Sequence, residues 1–303
     1  MNANPIAKWV CTLACAVLAA TLQAHAQPAQ LVHPRSESGS DLFINYYWGL
    51  LDQALERTEA RHGAVRRVEG KDLMNHKRAM EELARGRIDI YVRAYIPPDY
   101  ADRLSLVPFP LDKGLLGHRL LLIHRDTQAR LRTVNTADDL KAFSIVQGAY
   151  WIDSDILEAA NLRVMRSNSY LGMFDMIQNK NVDLFPRGAN EILAELRHHK
   201  VRLPALAMDD SLALVFPMSF YFIVANTERG HRIRERVLEG LNIMVSDGSF
   251  EHAYQALKAK ALQGVGLQGR TVIRLANPYY DQPEYMVERR EMWDELVFRN
   301  KSP

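Results

Sequence analysis

The chain has 303 residues and a formal net charge of +2 at neutral pH. This length allows one or two domains with a sizeable core, and the near-balanced charge gives no reason to expect nucleic acid or an anionic membrane surface as a partner. Residues 1–26 hold a single charge, Lys8, followed by an apolar run too short to span a bilayer with ease and a small-x-small cleavage pattern at residues 24–26. These features predict a secretory signal peptide and a mature chain that begins at Gln27 and is not membrane-inserted.

Both cysteines, Cys11 and Cys15, lie inside the segment that we expect to be removed. The mature chain would therefore have no thiol, no disulfide and no thiolate metal ligand. The sequence also lacks the motifs of serine hydrolases, zinc peptidases and P-loop proteins. We accordingly predict no catalytic residue, no metal site and no cofactor.

Apolar periodicity alternates between strand-like and helix-like segments, which predicts an α/β fold. Predicted strands cover residues 31–32, 64–68, 88–92, 106–111, 119–124, 144–147, 163–165 and 182–185, with a further buried strand within 211–225. Predicted helices cover residues 45–57, 75–85, 136–143, 153–160, 170–177, 190–196 and 233–244. Residues 33–41 are predicted to form a loop, and the charged tail beyond Pro278 is expected to pack over the surface.

Two stretches of the sequence, called the echoed stretches below, repeat the same pattern. Residues 80–94, "MEELARGRIDIYVRA", and residues 174–188, "FDMIQNKNVDLFPRG", each end a strand with an arginine four residues after an aspartate. In open α/β sheets ligands bind beyond the carboxyl ends of strands, so Arg93 and Arg187 would face a gap between two halves of the molecule. Gly188 would allow the tight turn needed there, and a side chain in its place would crowd a ligand or the start of the next helix. Chance similarity, with each arginine a solvated charge at a strand end, remains the alternative.

Five motifs in order, "LARGRIDIYV", "PLDKGLLGHRLLLI", "VQGAYWID", "NVDLFPRG" and "GLNIMVSDGSF", resemble bacterial extracellular solute-binding proteins of family 3 between about residues 30 and 280. The resemblance implies the type II periplasmic binding protein fold: two α/β lobes joined by two crossing strands, with solute held between them. The crossings would lie near residues 117–122 and 215–219. The implied division is a signal peptide at 1–26, the first part of lobe 1 at 27–118, lobe 2 at 119–216, and the second part of lobe 1 with the C-terminal tail at 217–303.

The resemblance also implies where solute would be bound. Arg103 is the nearest match to the family's carboxylate-binding arginine in the first lobe, and Arg93 competes with it. Arg187 stands near a position where amino-acid binders often carry an aspartate for the ligand's ammonium, a departure that favours an anionic solute. Aromatic residues after a strand end and charges in the first loop complete the prediction. The candidate ligand-binding residues are Arg187, Arg93, Arg103, Gln147, Gly148, Tyr150, Trp151, Glu37, Arg35 and Ser38.

The function implied is that of a non-catalytic periplasmic protein that closes on a small, carboxylate-bearing anionic solute and presents it to a membrane permease, as in an ABC transporter, or to a sensor kinase. A secreted, dehydratase-like enzyme on the same fold is the alternative, with Glu37 or Asp153 as the acid/base. Asp153 and Asp155 are first predicted to be capping residues, because they stand at a helix start.

Overall fold

The computed structural model of the chain describes residues 29–36, 44–280, 292–294 and 296. The predicted signal peptide and the candidate site residues Glu37 and Ser38 lie outside these residues. Within the described part of the chain, no helix is long and apolar enough to cross a membrane.

The described residues alternate between strands and helices, as the periodicity predicts. The helices are α1 (Ile44–Arg57), α2 (Glu59–His62), α3 (His76–Ala84), α4 (Gln128–Leu131), α5 (Ile152–Ala159), α6 (Tyr170–Gln178), α7 (Ile192–His199), α8 (Glu228–Ser246) and α9 (Ser249–Leu262). The strands are β1 (Ala29–Ser36), β2 (Val65–Met74), β3 (Tyr91–Arg93), β4 (Leu104–Leu106), β5 (His118–His124), β6 (Ser144–Gly148), β7 (Arg163–Ser167), β8 (Leu184–Gly188), β9 (Leu206–Met208), β10 (Leu212–Val215), β11 (Tyr221–Ala225) and β12 (Thr271–Arg274).

The strands form two groups, one in each lobe. In the first lobe β1 and β2 are parallel, and β11 lies between β3 and β4 with both neighbours antiparallel. In the second lobe the strand order is β12-β10-β5-β8-β6-β7, with β9 beside β5. Every residue of β5 and β8 is buried, which is why their sequences read as nearly continuous apolar runs rather than as alternating patterns.

The two echoed stretches fold in the same way at their aspartates. Asp89 donates its backbone N–H to the carbonyl oxygen of Val32, and its carboxylate accepts from the N–H of Val32, both at 2.7 Å. Asp183 makes the same reciprocal pair with Ser144, at 3.1 and 2.8 Å. Each aspartate thus fixes the start of its strand to a neighbouring strand, β1 for Asp89 and β6 for Asp183, so the repeated spacing has a structural cause in both lobes.

The lobes are joined where Gly117 leads into β5 and where β10 leads into Phe216. The N–H of Phe216 donates to the carbonyl oxygen of Gly117 at 3.1 Å. A Cβ on Gly117 would overlap the carbonyl oxygen of Phe216, so the close approach of the two crossing segments requires glycine. Beside this point the buried carboxylate of Asp112 accepts hydrogen bonds from the Ser219 hydroxyl at 2.5 Å and the Tyr47 hydroxyl at 3.0 Å.

The region after the second crossing does not stay in the first lobe. Helices α8 and α9 pack against α1, as the predicted division requires. The strand Thr271–Arg274, however, pairs in parallel with β10 in the second-lobe sheet. Assigning all of residues 217–303 to the first lobe is therefore wrong for β12, a four-residue strand that carries too little periodicity to be recognised. The remaining lobe boundaries stay a prediction.

Several elements differ from the sequence-based expectation. The helix predicted at residues 136–143 is a single 3₁₀ turn, Asp139–Ala142. The carboxylate of Asp139 accepts from the N–H groups of Asn135 and Thr136, and such local side-chain bonds compete with a regular helix. Strand β1 extends to Ser36, into the predicted loop, while α9 and β9 were not predicted.

The carboxyl of Asp112, which lies beside the two crossing segments that we call the hinge, should make the free energy of unfolding depend on pH. Burial raises the pKa of Asp112 to about 6. Because the folded protein keeps this proton to a higher pH than the unfolded chain, the free energy of unfolding falls as the pH rises from about 4 to about 6, by on the order of 3 kcal/mol. The variant Asp112→Asn cannot ionise at this position. Its free energy of unfolding, measured by urea unfolding between about pH 4 and pH 6, should therefore not show this fall.

An exposed aspartate provides the control for the hinge carboxylate. Asp138 has a mostly exposed side chain, and Asp138→Asn should leave the pH profile parallel to that of the unmutated protein. If Asp112→Asn also gives a parallel profile, Asp112 does not titrate at the hinge.

Candidate functional site

The predicted site residues of the second lobe gather at one edge of its sheet. Strands β6 and β8 are parallel neighbours, so their carboxyl ends, at Gly148 and Gly188, lie at the same edge. Strand β5 runs the other way and begins there, with Arg119 opposite Gly188. This edge faces the first lobe, since Arg93 at the end of β3 bonds to Tyr150 just beyond β6. The cleft between the lobes is therefore the candidate site.

Arg93 reaches across this cleft. It is the last residue of β3 and is buried, and its Nη2 donates to the carbonyl oxygen of Tyr150 at 3.2 Å. Its Nε is also buried and has no hydrogen-bond partner among the described residues. The charge of Arg93, together with burial, lowers the pKa of His76, a residue at the start of α3. A buried N–H without an acceptor costs free energy, so Arg93 retains the capacity to bind an acceptor such as a carboxylate.

Arg103, the competing first-lobe candidate, lies elsewhere. Strand β11 pairs at one end with Arg93 and at the other with Leu104, the residue after Arg103. At about 3.3 Å per residue, four residues of strand put these ends roughly 13 Å apart. The guanidinium of Arg103 is half exposed and lies 3.4 Å from Glu81 on α3. The structure thus brings Arg93, and not Arg103, to the second-lobe edge.

The loop after β6 presents one ring to solvent and partly buries the other. Tyr150 is 58% exposed. The indole of Trp151 lies over Gly148, where a Cβ would come within 2.5 Å of it. Gln147 is fully buried and donates from Nε2 to the carbonyl oxygen of Pro186 at 2.9 Å, so its amide holds β6 to β8. Of these residues Tyr150 is the most exposed.

Arg187 does not present a free guanidinium to the cleft. Its Nε and Nη2 donate to the two carboxylate oxygens of Glu195 at 2.7 and 2.6 Å, and Nη2 lies 3.0 Å from Glu191. The guanidinium carbon is 4.8 Å from the centre of the Trp151 ring. Two carboxylates and an aromatic face already surround this charge, which weighs against its predicted role as the second-lobe anion ligand.

The pKa shifts agree with this pairing. Burial alone would lower the pKa of Arg187, but Glu191 and Glu195 raise it well above its usual value. Burial would likewise raise the pKa of Glu195, and Arg187 more than offsets that effect, so the pKa of this carboxyl is lowered. Both groups therefore stay ionised and bound to each other around neutral pH.

A second arginine extends the charged group. Arg119 Nε lies 2.9 Å from Asp153, and its Nη1 lies 3.6 Å from Glu191. We call the five residues Arg119, Arg187, Asp153, Glu191 and Glu195 the ion cluster. Its two guanidinium groups and three carboxylates sum to a formal charge of −1, so the second-lobe side of the cleft is not the positive surface that the sequence suggested.

The capping prediction for Asp153 and Asp155 is wrong. The residue at the N-terminal cap of α5 is Trp151, and it makes no side-chain capping bond. Asp153 is paired with Arg119, and Asp155 with Arg166 at 2.5 Å. Arginines on neighbouring strands, invisible in the local sequence, draw both carboxylates away from the helix terminus.

Gly188 is explained by crowding rather than by a turn. Its φ is not in the left-handed region, where only six other described glycines lie. A Cβ on Gly188 would come within 2.9 Å of Arg119 Nη1 and 3.0 Å of Glu191 Oε2, and closer still to Asn190 Oδ1. The glycine lets the ion cluster pack directly over the end of β8.

The first-loop candidates add little to the described site. Arg35 lies on β1 with an exposed side chain, its Nε 4.0 Å from Glu69, and Glu37 and Ser38 are outside the described residues. Sequence reasoning missed Glu191 and Glu195. Their positions four and eight residues after Arg187 place them on one helix face, and this spacing was the available signal.

Solved structures with a similar fold are binding proteins. An ancestral arginine-binding protein bound to arginine matches with a TM-score of 0.56 at 13% identity, covering 76% of this chain and 98% of that one. The substrate-binding protein of an amino acid ABC transporter matches with a TM-score of 0.53 at 13% identity, covering 78% and 100%. A Salmonella typhimurium periplasmic binding protein of high arginine specificity matches with a TM-score of 0.53 at 11% identity, covering 75% and 98%. The sequence matches no protein-family model and no curated protein.

These likenesses establish the fold. The chain has the two-lobed α/β fold of type II periplasmic binding proteins, and the predicted fold class is confirmed. The family 3 resemblance of the motifs agrees with this fold, which the arginine-binding proteins share.

Gly188→Ala should destabilise the second lobe. The added methyl group would force apart Arg119, Asn190 and Glu191, and overpacking of this kind costs about 1–3 kcal/mol. Thermal unfolding should therefore show a lower Tm than for Gly266→Ala, whose Cβ would meet nothing within 4 Å. Equal Tm values for the two variants would mean that the ion cluster rearranges freely around residue 188.

Proposed function

We propose that the chain is a non-catalytic solute-binding protein whose lobes close on a small solute bearing a carboxylate. The observation that carries this proposal is the buried, unpartnered Nε of Arg93 at the boundary between the lobes. A planar guanidinium with one N–H unsatisfied suits a carboxylate, which can accept two parallel hydrogen bonds. The similar binding proteins, whose names concern arginine and amino acids, support a solute of this size.

The proposal differs from the sequence-based one in its use of Arg187. A solute carboxylate at Arg187 would have to displace Glu191 or Glu195 or share the guanidinium with them. The net negative charge of the ion cluster would also repel a second anionic group on the solute. A single carboxylate, as in an amino acid or a short monocarboxylic acid, therefore suits the cleft better than a dicarboxylate.

The remaining expectations follow from the same proposal. Such a protein acts in the periplasm after removal of residues 1–26, and its closed form would be recognised by an ABC-transporter permease or by a sensor kinase. The enzyme alternative gains no support at Asp153, because Arg119 holds that carboxylate in a buried ion pair.

Replacing Arg93 should weaken solute binding. A panel of amino acids, mono- and dicarboxylates and alkylamines, screened by thermal shift and titrated by calorimetry, should give its strongest binders among monocarboxylates. Loss of one member of a desolvated charge pair costs on the order of 2–5 kcal/mol, so Arg93→Ala should weaken the best binder roughly 30-fold or more.

The matched control for Arg93 is Arg103→Ala, which removes an arginine from the far end of the same three strands and should leave the affinity unchanged. The proposal fails if Arg93→Ala binds like the unmutated protein, or if amines without a carboxylate outrank acids in the panel.

Closure should be visible in solution. The best binder at about 100 times its Kd should stabilise the protein by roughly 2.7 kcal/mol. Small-angle scattering should show a lower radius of gyration with that solute than without it, because the lobes can rotate about the crossings at Gly117 and Phe216. An unchanged radius with a bound solute would contradict closure while leaving binding itself intact.

A further inference from the structure

The guanidinium of Arg187 lies among three aromatic rings. Its carbon is 4.8 Å from the ring centre of Trp151, 5.2 Å from that of Phe185 and 5.9 Å from that of Tyr170. Cations within about 6 Å of aromatic ring centres are attracted by the electrons of the rings, most strongly when water is excluded. Arg187 is 7% exposed, so water is largely excluded here.

Two carboxylates, from the N-cap and the first turn of α7, complete the enclosure. Glu195 accepts from Nε and Nη2 of Arg187, and Glu191 lies 3.0 Å from Nη2. The Tyr170 hydroxyl donates to Glu195 at 2.6 Å, which fixes that carboxylate beside its ring. We call the rings of Trp151, Tyr170 and Phe185 and the carboxylates of Glu191 and Glu195 the guanidinium cage.

The guanidinium cage has the chemistry of a binding site for a guanidinium or alkylammonium group. Flat apolar faces and a bidentate carboxylate are what such a cation needs. Part of the rim, formed by Trp151, Tyr170 and the two glutamates, remains accessible to solvent. The cage also adjoins the cleft, because Trp151 follows Tyr150, whose carbonyl oxygen binds Arg93.

We propose that the guanidinium cage is a cation subsite of the second lobe, which the chain's own Arg187 occupies, and that Arg187 thereby excludes the cationic groups of solutes from this position. Replacing a buried ion pair by apolar residues is often neutral for stability, so stability alone gives little reason to hold a guanidinium there. Occupancy by Arg187 does not depend on what Arg93 binds, so either proposal can fail without the other.

Arg187→Ala empties the cage and allows a direct test. The substitution removes the atoms of an ethylguanidinium ion and leaves Glu191 and Glu195 without their partner. N-ethylguanidinium at about ten times its Kd should raise the Tm of this variant by roughly 3 °C or more, saturably. Agmatine should act likewise. Neither should stabilise the unmutated protein, where Arg187 fills the cage.

Three controls separate the cage from general effects. N-ethylurea has the same shape without the charge and should not raise the Tm of Arg187→Ala. The double variant Arg187→Ala/Glu195→Gln should bind N-ethylguanidinium at least tenfold more weakly. Arg130→Ala removes an arginine that also contacts a ring, Phe143, and a carboxylate, Asp183, but whose side chain is 55% exposed, and it should show no rescue.

The expected result is selective stabilisation of Arg187→Ala by guanidinium compounds. The proposal is overturned if N-ethylguanidinium and N-ethylurea act equally on that variant, or if the unmutated protein responds as strongly. Should Arg187→Ala unfold on its own, its refolding yield is compared in N-ethylguanidinium and in N-ethylurea. A higher yield with the cation supports the cage, and equal yields refute it.

Discussion

A buried charge must be paired, and this requirement shapes the edge where the two lobes meet. The ion cluster holds two guanidinium groups and three carboxylates that are largely removed from water. Removing one member would leave the buried charge of another without a partner, which usually costs about 3–5 kcal/mol of stability. The pairing also constrains the neighbouring chain, since Gly188 must lack a side chain and two glutamates must stand four residues apart, Glu191 at the N-cap of α7 and Glu195 within it.

The hinge satisfies the same requirement by a different means. No basic side chain donates to Asp112 in the described contacts; hydroxyls of Tyr47 and Ser219 and the N–H of Gly114 do so instead. Burial then favours the neutral form, and the pKa rises to about 6. Mutual pairing raises the pKa of Arg187 and lowers that of Glu195, which keeps both groups charged, whereas pairing with hydroxyls leaves the carboxyl of Asp112 able to titrate.

The sequence predicted the elements whose cause is local and missed those whose cause is distant. The alternation of strands and helices and the arginines at or next to the last residues of β3 and β8 follow from short-range patterns, whereas the crossings near Gly117 and Val215 were implied by the family resemblance. The partners of those arginines do not follow from short-range patterns. Whether the guanidinium of Arg187 contacts solvent, solute or a carboxylate depends on how α7 lies against β8. The four-residue spacing of Arg187, Glu191 and Glu195 was the only indication of this packing in the sequence. Strand β12 was missed for a similar reason, because its pairing with β10 is all that defines it.

The two echoed stretches have the same local structure, but the arginines that follow have different partners. Asp89 and Asp183 make the same reciprocal bonds to a neighbouring strand, so the chain reaches both arginines by the same geometry. After Arg93 the chain continues without carboxylates at helical spacing, and the guanidinium keeps an unpartnered N–H. After Arg187 it supplies Glu191 and Glu195, whose carboxylates pair with Nε and Nη2 of the guanidinium. The lobes are thus alike in backbone and unlike in charge. Because a preorganised group loses little entropy on binding, the carboxylate site that we propose at Arg93 would benefit from a neighbouring Trp151 ring that already packs against the paired Arg187.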